Sequence, residues 1–239
     1  MRITNDPFVH HPGLRGKIVD PETSRFRTFD ADELLRKRPE LEWIRPFLNT
    51  TAQREENRAE VLADQREDDL WVFAYGSLMW DPAFLFSDVR RAHVPNYERR
   101  FILKDMLGGR GTPENPGLMA ALDKGEGCNG LAFRIPKEII EHETEILWRR
   151  EFFGPTYFPT LVETRLGDET ISALTFVANY EARQIEANIT REEQLNCLRN
   201  GEGWLGTSLE YLENVVLQFE ALGIEDEACS QLLAEARLV

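Results

Sequence analysis

The chain has 239 residues, a formal net charge of −14 and three cysteines, which suits one domain with a sizeable core plus some decoration. The acidic balance argues against nucleic acid and anionic membranes as general partners, because both would be repelled. Cys128, Cys197 and Cys229 lack the number and spacing of a disulfide framework or zinc site, Met1 to Pro7 lacks the apolar core of a signal peptide, and no run approaches a membrane span, so the expectation is a cytoplasmic protein.

Residues 1 to about 29 are rich in Pro, Gly, His and charge without sustained periodicity, which predicts an irregular or mobile arm. A helix is expected after Asp30, where Glu33 stands three residues on as in a capping box, and Pro39 ends it. The polar stretch 51–69 predicts a surface helix leading into the first strand, with Ala59, Val61, Leu62 and Ala63 as its apolar points. From Leu70 the pattern changes to short apolar or alternating runs at 70–74, 90–95, 99–104, 118–123, 130–135, 160–164 and 171–177. Strands so closely spaced favour a twisted sheet closing toward a small barrel. Residues 137–152 read as a helix, with Ile139, Ile140, Glu143, Ile146, Leu147 and Arg150 recurring at intervals of three and four. Further helices are expected at 191–200, 208–222 and 226–238. The change of pattern at Leu70 divides the chain into an N-terminal arm and helical extension over 1–69 and a main domain over 70–239.

The first strand breaks abruptly into Tyr75-Gly76-Ser77-Leu78-Met79. Gly76 can adopt backbone conformations closed to other residues, and the amides of Gly76, Ser77 and Leu78 could then converge into a nest for a carboxylate or oxyanion. An ordinary strand-to-loop turn fits the same residues. Glu151 closes a helix, with Trp148 one turn back and Phe152, Phe153 and Gly154 next. Aromatic surroundings strip water from a carboxylate and raise its pKa; the plainer alternative is a solvated glutamate paired with Arg149 or Arg150. Arg110, between glycines, can present a guanidinium to a substrate carboxylate or pair with an acidic loop residue. Arg99 and Arg100 are strand neighbours that point to opposite faces, so at most one reaches the interior. His10, His11, His93 and His142 do not assemble into metal-ligand spacing, and no Ser-His-Asp or Cys-His arrangement stands out. Gly108-Gly109-Arg110-Gly111 has the wrong spacing for a phosphate or dinucleotide loop, with Pro113 and Pro116 behind it. No cofactor and no metal are expected.

Four stretches, in order, carry a more specific signal. Trp71 to Trp80 resembles the strand and signature loop of the ChaC-type gamma-glutamylcyclotransferases. Pro95-Asn96-Tyr97-Glu98-Arg99-Arg100-Phe101 with Gly109 to Gly117 is similar to the family's second signature. Leu147-Trp148-Arg149-Arg150-Glu151, followed by Gly154 and Tyr157, resembles the segment with its catalytic glutamate, and Leu205 to Leu212 its closing motif. The resemblance implies an α+β fold, a small twisted mixed β-barrel with surrounding helices. It implies Glu151 as catalyst, Tyr75, Gly76, Ser77, Leu78 and Met79 as the loop holding the gamma-glutamyl group, and Arg110 as a cationic anchor at the far end of the substrate. Tyr157 and Tyr211 are candidates for positioning hydroxyls, with packing as the alternative role. The activity implied is cyclisation of the gamma-glutamyl group of glutathione, releasing 5-oxoproline and cysteinylglycine without a cofactor. Other gamma-glutamyl amides as substrates, or gamma-glutamyl binding without catalysis, remain the alternatives. Ala74, the run Phe152 to Tyr157 and Ser208 depart from common forms of the motifs; the last two could reshape the leaving-group side.

Overall fold

The computed structural model describes residues 6–65 and 68–238. Its main sheet contains β1 (Leu70–Ala74), β2 (Asp88–Val94), β3 (Tyr97–Asp105), β4 (Gly117–Lys124), β5 (Cys128–Ile135), β6 (Tyr157–Leu166) and β7 (Glu169–Ala178). The strand order is β1-β5-β2-β6-β7-β4-β3. A parallel pairing of β1 with β7, at Trp71↔Ala173 and Val72↔Leu174, closes the first five into a barrel. Closure gives β1 neighbours on both sides, β5 antiparallel and β7 parallel, so it has no free edge. This accounts for its unbroken apolar sequence, buried at every position except the half-buried Trp71. The β3–β4 hairpin extends the sheet beyond β7 through a parallel contact at Leu122↔Val177 and carries a bulge between Phe101 and Leu103. The strands predicted from sequence are all present, most of them extended by one to three residues at an end.

The helices are α1 (Ala31–Lys37), α2 (Thr51–Val61), α3 (Ile140–Glu151), α4 (Arg191–Asn200), α5 (Ser208–Leu222) and α6 (Glu227–Arg237). Asp30 caps α1 by accepting from the Glu33 amide at 2.8 Å, while the Glu33 carboxylate pairs with Lys37 at 2.7 Å. The sequence stops α1 at Pro39 correctly, but a 3-10 segment, Pro39–Phe47, follows that periodicity does not reveal. Thr50 and Gln53 form a full capping box at α2, and Leu62 just beyond it is buried. α2 packs on α3, where Trp148 Nε1 donates to Asn57 Oδ1 at 2.9 Å. Between α4 and α5 a short hairpin, β8 (Glu202–Gly203) and β9 (Gly206–Thr207), carries Trp204 and Leu205 at its tip.

Residues 6–29 are irregular, as expected, but they are anchored rather than mobile. The Val19 amide donates to the Trp80 carbonyl at 2.7 Å, and Gln218 Nε2 to the Lys17 carbonyl at 2.9 Å. Arg27 grips both oxygens of the buried Glu143, at 2.8 and 2.9 Å. Long-range partners supply the order that local periodicity lacks. All three cysteines are free and buried, and no helix among the described residues is long and apolar enough to cross a membrane.

Candidate active site

β1 carries Tyr75 to one end of the barrel, where Gly76 leads into a single 3-10 turn, Ser77–Met79. A Cβ on Gly76 would stand 2.6 Å from the Tyr211 hydroxyl, so only glycine lets the turn approach α5 this closely. The Gly76 and Ser77 carbonyls accept from Met79 and Trp80 at 2.9 and 3.2 Å. The amides of Ser77 and Leu78, first in the turn, have no acceptor among the described residues, as is usual for leading amides of a helical turn.

A cavity of about 30 Å³ opens above this turn, lined by Tyr75, Gly76, Ser77, Leu78, Glu151, Tyr157 and Tyr211, with Ala120 and Phe176. Of the residues singled out from sequence, it gathers all but Met79 and Arg110. Met79 is fully buried in the core. An outer cavity of about 170 Å³ adjoins the first and shares Glu151 and Tyr157 with it.

Glu151, the last residue of α3, is 15% exposed at its side chain, and its Oε1 lies 2.9 Å from Arg150 Nε. Burial raises its pKa above the ordinary glutamate value; the Arg150 charge and hydrogen bond oppose the rise and Asp81 adds to it. The pairing with Arg150 matches the plainer sequence reading, whereas the burial does not. Arg150 is the residue that sequence reasoning passed over. Its Nη2 donates to Ser77 Oγ at 2.9 Å, its Nη1 donates to the Asp81 carbonyl, and its Cζ lies 4.2 Å from the Phe26 ring centroid. One guanidinium thus ties the signature turn to the carboxylate. The signal was present in the apolar recurrence of α3, since an arginine on an inward stripe needs a buried partner.

The three tyrosines converge from separate elements. Tyr75 donates to the Phe176 carbonyl at 2.8 Å and Tyr157 to the Ala120 carbonyl at 3.3 Å. Tyr211, on α5, is held edge-on by Trp80 and Phe101 at centroid distances of 5.6 and 6.3 Å. Burial raises the first two pKa values well above the ordinary range and pushes Tyr211 up to about 12, so all three remain neutral hydroxyls near neutral pH. Arg99 is the inward member of its pair: its Nε donates to the Tyr75 carbonyl at 2.6 Å and its Nη1 to Asp226 at 2.8 Å. Arg100 pairs with Asp123 at 2.7 Å.

Arg110 lines neither cavity. Its Nη1 donates to the Thr207 carbonyl at 2.8 Å and meets Glu210 at 3.4 Å, and its Cζ lies 5.6 Å from the Tyr211 ring centroid. The guanidinium therefore braces the start of α5 from behind the site. Its glycine-rich loop is tight for packing reasons: a Cβ on Gly111 would fall 1.9 Å from the Gly117 nitrogen. Among the described residues no group of three or more His, Cys, Asp or Glu could hold a metal ion.

A buried carboxyl group with a raised pKa, unpaired amides and fixed hydroxyls around one small cavity can move a proton and stabilise a developing oxyanion. Comparison with known proteins gives the chain its relatives. The chain is 32% identical over 193 residues to the glutathione-specific gamma-glutamylcyclotransferase of Escherichia coli (strain K12), covering 80% of this chain and 83% of that protein. It is 29% identical over 164 residues to the glutathione-specific gamma-glutamylcyclotransferase of Schizosaccharomyces pombe, covering 61% of this chain and 80% of that one. In fold it resembles the crystal structure of a gamma-glutamyl cyclotransferase specific to glutathione from yeast, with a TM-score of 0.64 over 71% of this chain and 96% of that one at 19% identity. Residues 70–238, more than two thirds of the chain, match the model of the ChaC-like proteins, and the chain belongs to that family.

Proposed function

We propose that this protein is a gamma-glutamylcyclotransferase that degrades glutathione to 5-oxoproline and cysteinylglycine. The observation that carries the reading is the Glu151 carboxyl group, buried, with a raised pKa, at the mouth shared by the two cavities and facing the signature turn. Both curated relatives described above support it by name. In this reading the gamma-glutamyl group occupies the inner cavity, its carboxylate against the Ser77 and Leu78 amides, and the leaving dipeptide occupies the outer one.

A gamma-glutamyl amide carries its own nucleophile. Its alpha-amine attacks the gamma-carbonyl and closes a five-membered lactam, and intramolecular attack can supply up to about 7–11 kcal/mol of the barrier reduction. Glu151 takes one proton from the ammonium before attack and a second from the ring nitrogen as the lactam N–H forms, and passes both to the departing nitrogen, the first as its bond to the carbonyl carbon breaks and the second as it leaves as an ammonium. A carboxyl with an ordinary pKa is a weak base for an amine, so desolvation of Glu151 serves both transfers. The tyrosine hydroxyls, neutral near physiological pH, hold the folded conformer. Every proton is accounted for by one carboxyl group and the substrate.

We assign catalysis to residues 70–239, regard 1–69 as an N-terminal extension, and place the protein in the reducing cytoplasm, which suits three free cysteines. The test is to incubate the purified chain with glutathione and follow products by chromatography. Equal amounts of 5-oxoproline and cysteinylglycine are expected. Absence of both refutes the reading, and turnover of gamma-glutamyl amino acids alone would move it to another gamma-glutamyl amide.

A further inference from the structure

The outer cavity is not built by residues 70–238 alone. Phe26 and Phe29, from the segment before α1, form one of its walls. Phe29 stacks on Trp204, with centroids 5.9 Å apart and planes 6° from parallel, and lies 5.4 Å from Phe153. Phe26 closes the corner beside Trp204 at 6.3 Å, and its ring receives the Arg150 guanidinium. The wall is rigidly mounted. Arg27, between the two phenylalanines in sequence, holds Glu143 with two hydrogen bonds, and Arg149 Nη2 donates to the Arg27 carbonyl at 2.9 Å. On the opposite side the Trp204 amide donates to the Gly108 carbonyl at 2.9 Å.

The charges in this cavity point away from an anionic ligand. Arg150 is the one basic residue among those that line it, and its donors serve Glu151, Ser77 and Asp81. Asp105 also lines it, accepting from the Leu107 amide at 2.8 Å. A terminal carboxylate entering here meets a second carboxylate and no free cation, whereas an apolar group meets aromatic faces.

We propose that Phe26 and Phe29 are specificity-determining residues of the leaving-group subsite. That subsite selects by apolar contact with the cysteinyl portion of the leaving amine, while the terminal carboxylate points out to solvent without an ion pair. The inference rests on the gamma-glutamylcyclotransferase reading.

The test compares glutathione with its glycine ethyl ester, by steady-state kinetics and by titration calorimetry on the intact chain. The wild-type kcat/KM for the ester should stay within about threefold of that for glutathione, because no charge contact is lost. Phe29→Ala should raise KM for both compounds by about five- to twentyfold and change kcat by less than about threefold, with Phe29→Leu recovering most of the loss. Circular dichroism checks that each variant folds; if Phe29→Ala does not, Phe26→Leu and Phe29→Leu carry the test, each expected to raise KM by about two- to fivefold. A tenfold or larger loss on esterification overturns the proposal, as does unchanged KM in the folded variants. If neither compound yields 5-oxoproline, the activity reading fails, and calorimetry still decides the subsite. Similar affinity for both compounds, weakened by the Phe29 variants, supports it; no binding, or binding indifferent to Phe29, overturns it.

Discussion

At the scale of single residues, Glu151 and Arg150 act as one unit. Glu151→Gln should keep the fold and much of the substrate binding while lowering kcat by at least about a hundredfold, because the amide cannot accept a proton. Single-turnover assays with glutathione check this, and near wild-type turnover would remove Glu151 as the base. The acid limb of the kcat/KM profile should lie above the ordinary glutamate value of 4.5, since burial disfavours the carboxylate. Arg150→Met should move that limb to higher pH still, because the Arg150 charge is what restrains the rise. The same shift has a thermodynamic sign. A raised folded-state pKa means that the stability contributed by protonated Glu151 is complete below the unfolded value and lost as pH rises through the folded one. The difference in Tm between Glu151→Gln and wild type should therefore move in the variant's favour from about pH 4 to 7. Calorimetric scans across that range measure it, and a trend of opposite sign would mean that the Arg150 pairing outweighs burial.

At the scale of elements, the site depends on the contact between the β1 turn and α5. Tyr211 is 4% exposed and wedged between Trp80 and Phe101, so its hydroxyl cannot yield to a methyl group placed 2.6 Å away. Gly76→Ala should destabilise the protein by about 1–3 kcal/mol through overpacking. Adding Tyr211→Phe should restore part of that loss, because it removes the atom in conflict, without restoring activity. Urea denaturation of the single and double variants makes this a cycle, and strictly additive losses would show that the two elements do not press on each other. The sequence located this turn from Gly76 and the apolar run before it, both local signals. It left Arg110 with two roles open. The direction of that guanidinium depends on Thr207 and Glu210, about a hundred residues away, which no local pattern encodes.

At the scale of the whole molecule, the N-terminal segment is tied to the barrel and its helices by long-range contacts. The Arg27–Glu143 pair joins them across 116 residues, with the two side chains 17% and 1% exposed. Arg27→Met leaves the Glu143 carboxylate buried without its cation, a loss on the order of 3–5 kcal/mol for such pairs, reduced here because the Leu85 amide still donates to it at 2.7 Å. A drop of about 2–4 kcal/mol in unfolding free energy is expected. Chemical denaturation checks it, and a change under about 0.5 kcal/mol would show that the segment is only loosely attached.

Local signals in the chain were enough for β1 to β7 and α1 to α6 in order, for the break after β1 and for the glutamate at the end of α3, but not for the 3-10 segment Pro39–Phe47 or the β8–β9 hairpin. Each rests on periodicity, turn chemistry or spacing within a few residues, which act on the chain locally. What closes the barrel depends on long-range pairing, since the parallel β1–β7 contact joins segments about a hundred residues apart. The same holds for the ordering of residues 6–29 and for the aromatic wall they lend to the outer cavity. Arg150 stands between the two cases: its inward position was legible in the helical recurrence, but its partners were not, because Ser77, Asp81 and Phe26 meet it only after the barrel and the arm have packed.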